Sequence, residues 1–154
     1  MKRKTYLGYI NKLKDNEIFV FGSNPEGRHG KGTAKLAFNK FSAIYGQGHG
    51  IQGKSYGLVT KNLTINYYDK ERNIIYNKIG KKSISEDQII TNIKFLYKYA
   101  RKNKNLNFLI AYSSVGNNLN GYTSIEMAEM FYKAKPIPMN IIFEENFLKL
   151  IYKK

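Results

Sequence analysis

Ile18-Phe19-Val20-Phe21 runs directly into Gly22-Ser23-Asn24-Pro25-Glu26-Gly27-Arg28-His29-Gly30-Lys31-Gly32, and Thr33 then opens a stretch with helical spacing. Four consecutive apolar residues bounded by Glu17 and Gly22 read as a strand buried on both faces, because a half-exposed strand alternates apolar with polar. From Thr33 to Tyr45, residues Ala34, Ala37, Phe38, Phe41, Ile44 and Tyr45 recur at helical intervals, and Gly46 is a natural stop. A buried strand, a glycine-bearing loop and a helix in succession form the unit from which parallel sheets with covering helices are built.

The rest of the chain continues the alternation. Tyr56–Thr60 reads as a second short strand, and Thr64–Tyr68 with Asn73–Asn77 as a hairpin around Asp69-Lys70-Glu71-Arg72. Ser85-Glu86-Asp87-Gln88 has the spacing of a capping box and opens a helix to about Asn103, with Ile89, Ile93, Leu96, Tyr97 and Ala100 on one face. Phe108–Tyr112 is a third buried strand. Thr123-Ser124-Ile125-Glu126 is a second capping box, opening a helix through Tyr132. Beyond Pro136 and Pro138, Met139–Phe143 is a further strand, and Glu144–Tyr152 a closing helix, acidic at its start and basic at its end as the helix dipole favours. The expectation is one domain over residues 1–154, of the α/β class, with a mixed or mostly parallel sheet.

Composition narrows the chemistry. The chain has no cysteine, which excludes disulfides, thiolate metal sites and cysteine nucleophiles. No apolar run approaches the ~18–20 residues that span a bilayer. Met1-Lys2-Arg3-Lys4 is basic but no apolar signal core follows it, so a cytoplasmic protein without a membrane partner is expected. Lys and Arg number 26 against 11 acids, a formal charge of +15, which attracts polyanions. Yet 22 of the 26 are Lys, scattered along the chain and accompanied by 18 Ile and 17 Asn. That is the residue usage of an A+T-rich coding sequence, so the excess reads as solvated surface and does not itself nominate a nucleic-acid groove.

Ligands of α/β sheets sit beyond the carboxyl ends of strands, where loops lead into helices. Two glycine-bearing loops occupy such places. The first spans Gly22–Gly32 and adds Arg28 and Lys31 to the start of the helix at Thr33. It lacks the Gly-Lys-Ser/Thr of a P-loop and the fixed triple-glycine register of the dinucleotide fingerprint. The second, Ser113-Ser114-Val115-Gly116-Asn117-Asn118-Leu119-Asn120-Gly121, precedes the helix capped by Thr123. Glycines let a backbone approach a ligand, and helix N-termini favour anions. Two such loops facing one crevice would hold a diphosphate; each also reads as a plain chain-reversing turn. Between them, Tyr45–Tyr56 carries four glycines with Gln47, His49 and Gln52, and reads either as a lid or as a tight crossover. His29 and His49 are the only histidines. No His spacing suits a metal, the loops hold no paired carboxylates, and neither a metal nor a cofactor is expected.

Three blocks carry a resemblance: Ile18–Asn24 with Gly27-Arg28-His29-Gly30-Lys31-Gly32-Thr33-Ala34; Tyr45-Gly46-Gln47-Gly48 through Gly53–Lys61; and Gly116-Asn117-Asn118-Leu119-Asn120-Gly121-Tyr122 followed by Glu126-Met127-Ala128. From about Glu17 to Phe147 the chain resembles small phage and bacterial proteins of macrodomain-like type. Macrodomains are three-layer α/β/α sandwiches with a mixed sheet that bind ADP-ribose and related nucleotides, and some hydrolyse ADP-ribosyl bonds. The resemblance implies that Asn24 approaches the distal ribose, that Gly30, Gly32 and Thr33 belong to a first phosphate loop, and Gly116–Gly121 to a second. It also places Asp15 where an acid reads adenine. From the loop reading and the resemblance together, the residues expected to touch ligand are Gly22, Ser23, Asn24, Arg28, His29, Gly30, Lys31, Gly32 and Thr33, with Gly116, Asn117, Asn118, Leu119, Asn120 and Gly121. Asn24 and His29 are the candidates for catalysis.

Three functions compete. One is a binder of ADP-ribose or a related NAD-derived nucleotide, which in a phage would sequester an immune signal in the host cytoplasm. Another is an ADP-ribosyl hydrolase with Asn24 orienting ribose or water. The third, a nucleic-acid-binding protein, requires basic residues interleaved with aromatics on one face. The loops offer glycines and amides but no clear base, which favours the binder.

Overall fold

The computed structural model describes residues 2–112 and 118–152. The elements follow in the order β1 (Thr5–Tyr6), β2 (Glu17–Ser23), α1 (Gly32–Lys40), β3 (Gly50–Gln52), β4 (Ser55–Val59), β5 (Tyr67–Asp69), β6 (Ile74–Tyr76), α2 (Glu86–Lys102), β7 (Asn107–Ile110), α3 (Ser124–Lys133), β8 (Ile141–Glu144) and α4 (Glu145–Ile151). Six strands form a mixed sheet in the order β1-β8-β7-β2-β4-β3, while β5 and β6 form a separate hairpin. Every pairing in the large sheet is parallel except β3 with β4. The fold is α/β, with helices on both faces of the sheet.

The run of apolar residues in β2 explains the layering. Side chains alternate across a strand, so Ile18 and Val20 face one side and Phe19 and Phe21 the other. Ile18 and Val20 join the larger core, which buries Ile93 and Leu96 of α2, Phe131 of α3 and Phe147 of α4. Phe19 and Phe21 pack with Ala34, Ala37 and Phe41 under α1. Both helices expected to open on capping residues do so. Ser85 accepts from the Gln88 N–H at 3.1 Å, and Thr123 and Glu126 form a complete reciprocal box. At its other end α2 is closed by Asn140, whose Nδ2 reaches the carbonyls of Ala100, Asn103 and Leu106.

The structure shortens the first helix. The spacing predicts helix from Thr33 to Tyr45, but α1 ends at Lys40. Phe41 turns inward against Phe19, ring centroids 4.9 Å apart, and Ser42 takes the left-handed conformation at φ 62°. The Ala43 N–H returns to Ala37 O, closing the helix with serine where glycine is usual. Ile44 and Tyr45, periodic on paper, are exposed beyond the helix.

The segment from Tyr45 to Tyr56 is a tight crossover and not a lid. It contains β3, and Ser23 Oγ donates to Gly48 O at 2.8 Å while the Gly46 N–H donates to Gly27 O at 2.8 Å. Gln52 Nε2 reaches the carbonyls of Gln47 and Gly50, and its Oε1 accepts from the Ile44 N–H at 2.8 Å. His49 is buried, 2.7 Å from Asp69 Oδ2, and Tyr76 donates to the same oxygen at 2.9 Å. Asp69 Oδ1 accepts from the N–H groups of Glu71 and Arg72. His49, Asp69 and Glu71 converge closely enough to consider a metal, but both Asp69 oxygens are already engaged in tying the hairpin to the crossover.

Several tyrosines are held protonated by their surroundings. Burial pushes the Tyr56 hydroxyl up to about 12. It also raises Tyr6, Tyr76, Tyr97 and Tyr122, helped at Tyr76 by the Asp69 carboxylate. A group that ionises more easily when unfolded stabilises the fold below its unfolded pKa near 10 and loses that contribution as pH rises through the folded value. Urea titrations across pH 9–12 should therefore show stability falling progressively above pH 10. A flat profile to pH 12 would show that these hydroxyls ionise freely in the fold.

Candidate functional site

Because β4, β2 and β7 are parallel, their carboxyl ends share one edge of the sheet. β2 and β7 are neighbours there. The chain leaves β2 for α1 on one face and leaves β7 for α3 on the other, which opens a crevice between them. A cavity of about 820 Å³ occupies this position. Its floor and one wall are apolar, formed by Val20, Leu58, Ile110, Met127, Phe131 and Phe147. Gly22, Asn24, Arg28, Gly30, Lys31, Gly32 and Thr33 border it on the α1 side, with Thr60, Lys61 and Leu63 from the end of β4.

The start of α1 differs from that of the other helices. Lys31 stands at its N-cap with no side-chain hydrogen bond to the first turn, and that turn contains no acid. In contrast α2, α3 and α4 are closed by Ser85, Thr123 and Glu144. Gly32, Thr33 and Ala34, in the turn whose N–H groups have no intrahelical acceptor, line the cavity. Arg28, Lys31 and Lys61 have no carboxylate within salt-bridge distance among the described residues. The lining described contains neither a carboxylate nor an imidazole. A positive helix end beside unpaired cations favours an anion.

Not every residue expected at the site reaches it as expected. Asn24 lines the cavity, but its amide grips its own loop. Nδ2 donates to Arg28 O and Oδ1 accepts from the Arg28 N–H, both at 3.0 Å. Ser23 turns its hydroxyl to the crossover, and Thr33 Oγ1 accepts from the Gly22 N–H at 3.2 Å, latching the strand end to the helix start. His29 is a correction: it is 2% exposed and does not line the cavity. Its ring packs edge-on to Phe21, centroids 5.0 Å apart, and Nε2 lies 3.2 Å from Gln52 Oε1. That oxygen only accepts, so Nε2 carries the hydrogen, and Nδ1 is buried without a partner. Such an imidazole is poorly placed to exchange protons with a ligand. Asp15 is a second correction. It lies in the turn before the start of β2, at the opposite end of that strand from Gly22 and Ser23, and does not line the cavity.

In the second loop Gly116 and Asn117 lie outside the described residues. Asn118, Leu119 and Asn120 line the cavity, and Leu119 lies over Gly32, 2.7 Å from where a Cβ there would stand. The side chains of Asn118 and Asn120 brace the turn: Asn118 Nδ2 donates to Tyr122 O, and Asn120 Oδ1 accepts from the Tyr122 N–H. Gly121, at φ +87°, serves packing against Lys81 and does not line the cavity. The α3 N-terminus is filled by Glu126, whose carboxyl is held below its ordinary range chiefly by the Thr123 N–H. The described half of this loop therefore supplies a wall, and among the described residues the helix start without a side-chain cap lies on the α1 side.

Thr60, Lys61, Tyr112 and Ser124 also line the cavity, and none of them was expected to touch ligand. Only the parallel pairing of β4 with β2 brings Thr60 and Lys61 to this edge. What fold and site define together is an α/β protein with a crevice at a switch point of its sheet, bordered by Arg28, Lys31 and Lys61. Comparison with protein-family models, with curated proteins and with solved structures finds no match.

Proposed function

We propose that the crevice binds ADP-ribose or a related NAD-derived phosphorylated nucleotide and that the protein acts as a binder, sequestering a nucleotide signal in a phage context. The observation that carries this reading is the uncapped start of α1 beside Arg28, Lys31 and Lys61, in a cavity whose described lining has no carboxylate. The first turn of α1 and the cations receive phosphate oxygens. The apolar wall of Leu58, Ile110, Met127, Phe131 and Phe147 receives the base and sugar faces. The cavity volume lies within the roughly 300–1,000 Å³ usual for small-molecule sites. The hydrolase reading loses ground, because the Asn24 amide is engaged by Arg28 and His29 is walled off.

A thermal-shift panel of ADP-ribose, NAD, cyclic ADP-ribose isomers and cyclic nucleotides tests this. A ligand at 100 times its dissociation constant adds ~2.7 kcal/mol of apparent stability. At least one phosphorylated nucleotide is expected to do so, and chromatography after incubation is expected to return it unchanged. No shift with any member would remove the nucleotide reading; conversion to product would replace the binder by an enzyme.

A further inference from the structure

The lysines that look scattered in the sequence are partly gathered by the fold. On α1, Ala34, Ala37 and the following Phe41 form the buried stripe, so Lys31, Lys35 and Phe38, spaced four and three apart, share the outer face. All three are exposed, Phe38 at 45%. Early termination of the helix brings Tyr45 back beside it. Tyr45 is 57% exposed, and its ring meets Phe38 at 5.9 Å between centroids. Arg28 and Lys31 border the cavity on the same side, as does Tyr45. None of Arg28, Lys31 and Lys35 has a carboxylate partner among the described residues. The result is a continuous exposed strip of three unpaired cations and two aromatic rings, with Lys31 and Phe38 ~10 Å apart along α1.

On this strip the exposed cations stand beside two exposed aromatic rings in mutual contact. Together they match a strand of phosphates with unstacked bases, where cations follow the backbone and rings take base faces. We propose that this strip binds a single-stranded oligonucleotide through phosphate contacts and base stacking. Duplex DNA, whose bases are stacked inside, lacks the second half of that chemistry. The proposal rests on the outer face of α1, where Lys35 and Phe38 lie outside the cavity lining, while Arg28, Lys31 and Tyr45 are shared with the rim of the crevice.

Fluorescence anisotropy with a labelled 15-nucleotide oligodeoxythymidine tests it, with a duplex of equal length as the comparison. The single strand should bind more tightly than the duplex, with a logarithmic salt slope of about −2 for three phosphate contacts. Phe38→Ala and Lys35→Glu alter residues outside the cavity lining. Phe38→Ala should weaken binding by about 5-fold to 100-fold, the range of one lost stacking contact. Lys35→Glu should lower both affinity and slope, and Lys94→Glu/Lys98→Glu, on exposed positions of α2, should change neither by more than about two-fold. Circular dichroism checks that the variants fold. Equal affinity for duplex and single strand, equal losses from the α1 and α2 variants, or no binding at 50 mM salt would overturn the proposal. The nucleotide thermal shift, read on Phe38→Ala, separates the two sites: it should persist while oligonucleotide binding falls.

Discussion

Alanine at Gly57 is expected to lower the melting temperature by about 6–12 °C. Gly57 sits in the middle of β4, and a Cβ there would lie 2.0 Å from Gly48 O and 3.1 Å from Gln52 Nε2. The obstacle is backbone, and it is not free to withdraw. Gly48 O accepts from Ser23 Oγ, and β4 is held by β2 on one side and β3 on the other. Overpacking of a filled interior costs 1–3 kcal/mol and more where nothing yields, so ~3 kcal/mol is the expectation here. For a chain of this length each kcal/mol moves the midpoint by roughly 2–4 °C. Calorimetric melts of the wild type and Gly57→Ala check it. A midpoint within 2 °C of wild type would mean that the crossover slides easily over β4, contrary to the close contact described.

Alanine at Gly30 should do the reverse. Nothing lies within 4 Å of the position its Cβ would take, and its φ is outside the left-handed region. Neither packing nor backbone conformation asks for glycine there, yet the residue borders the cavity. Loss of unfolded-state freedom makes such a substitution neutral or stabilising by ~0.4–1 kcal/mol. If the nucleotide seats its phosphates against this loop, the added methyl intrudes on them. Affinity for ADP-ribose should then fall by at least about ten-fold, ~1.4 kcal/mol. Isothermal titration beside a thermal melt separates the two effects. Unchanged affinity in Gly30→Ala would move the ligand away from the α1 loop.

The two glycines show why sequence alone cannot rank its own signals. Both belong to the glycine-rich quarter of the chain between Gly22 and Gly57. Gly57 is required because two backbones meet, a long-range fact; Gly30 is left open by every neighbour. The histidines make the same point. His29 and His49 look like ligand-facing side chains among glycines, yet both are buried, one against Phe21 and Gln52 and the other against Asp69. Glycine-rich loops pack their backbones closely, and the imidazoles fill the space beneath.

Local pattern sufficed wherever the determinant was local. The unbroken apolar run at 18–21 required a strand buried on both faces, and the Ser85 and Thr123 caps marked helix starts within a residue, because those bonds close within one turn. The alternation of strands with helices was enough for the α/β class. Tertiary structure decided the remainder. β1 and β3, two and three residues long, exist through pairing with β8 and β4 and leave no periodic trace. The end of α1 was set by Phe41 finding Phe19, and with it the exposure of Tyr45 beside Phe38. The composition of the crevice depended on strand order, which brings Thr60 and Lys61 beside Gly22 by hydrogen bonds between segments some forty residues apart.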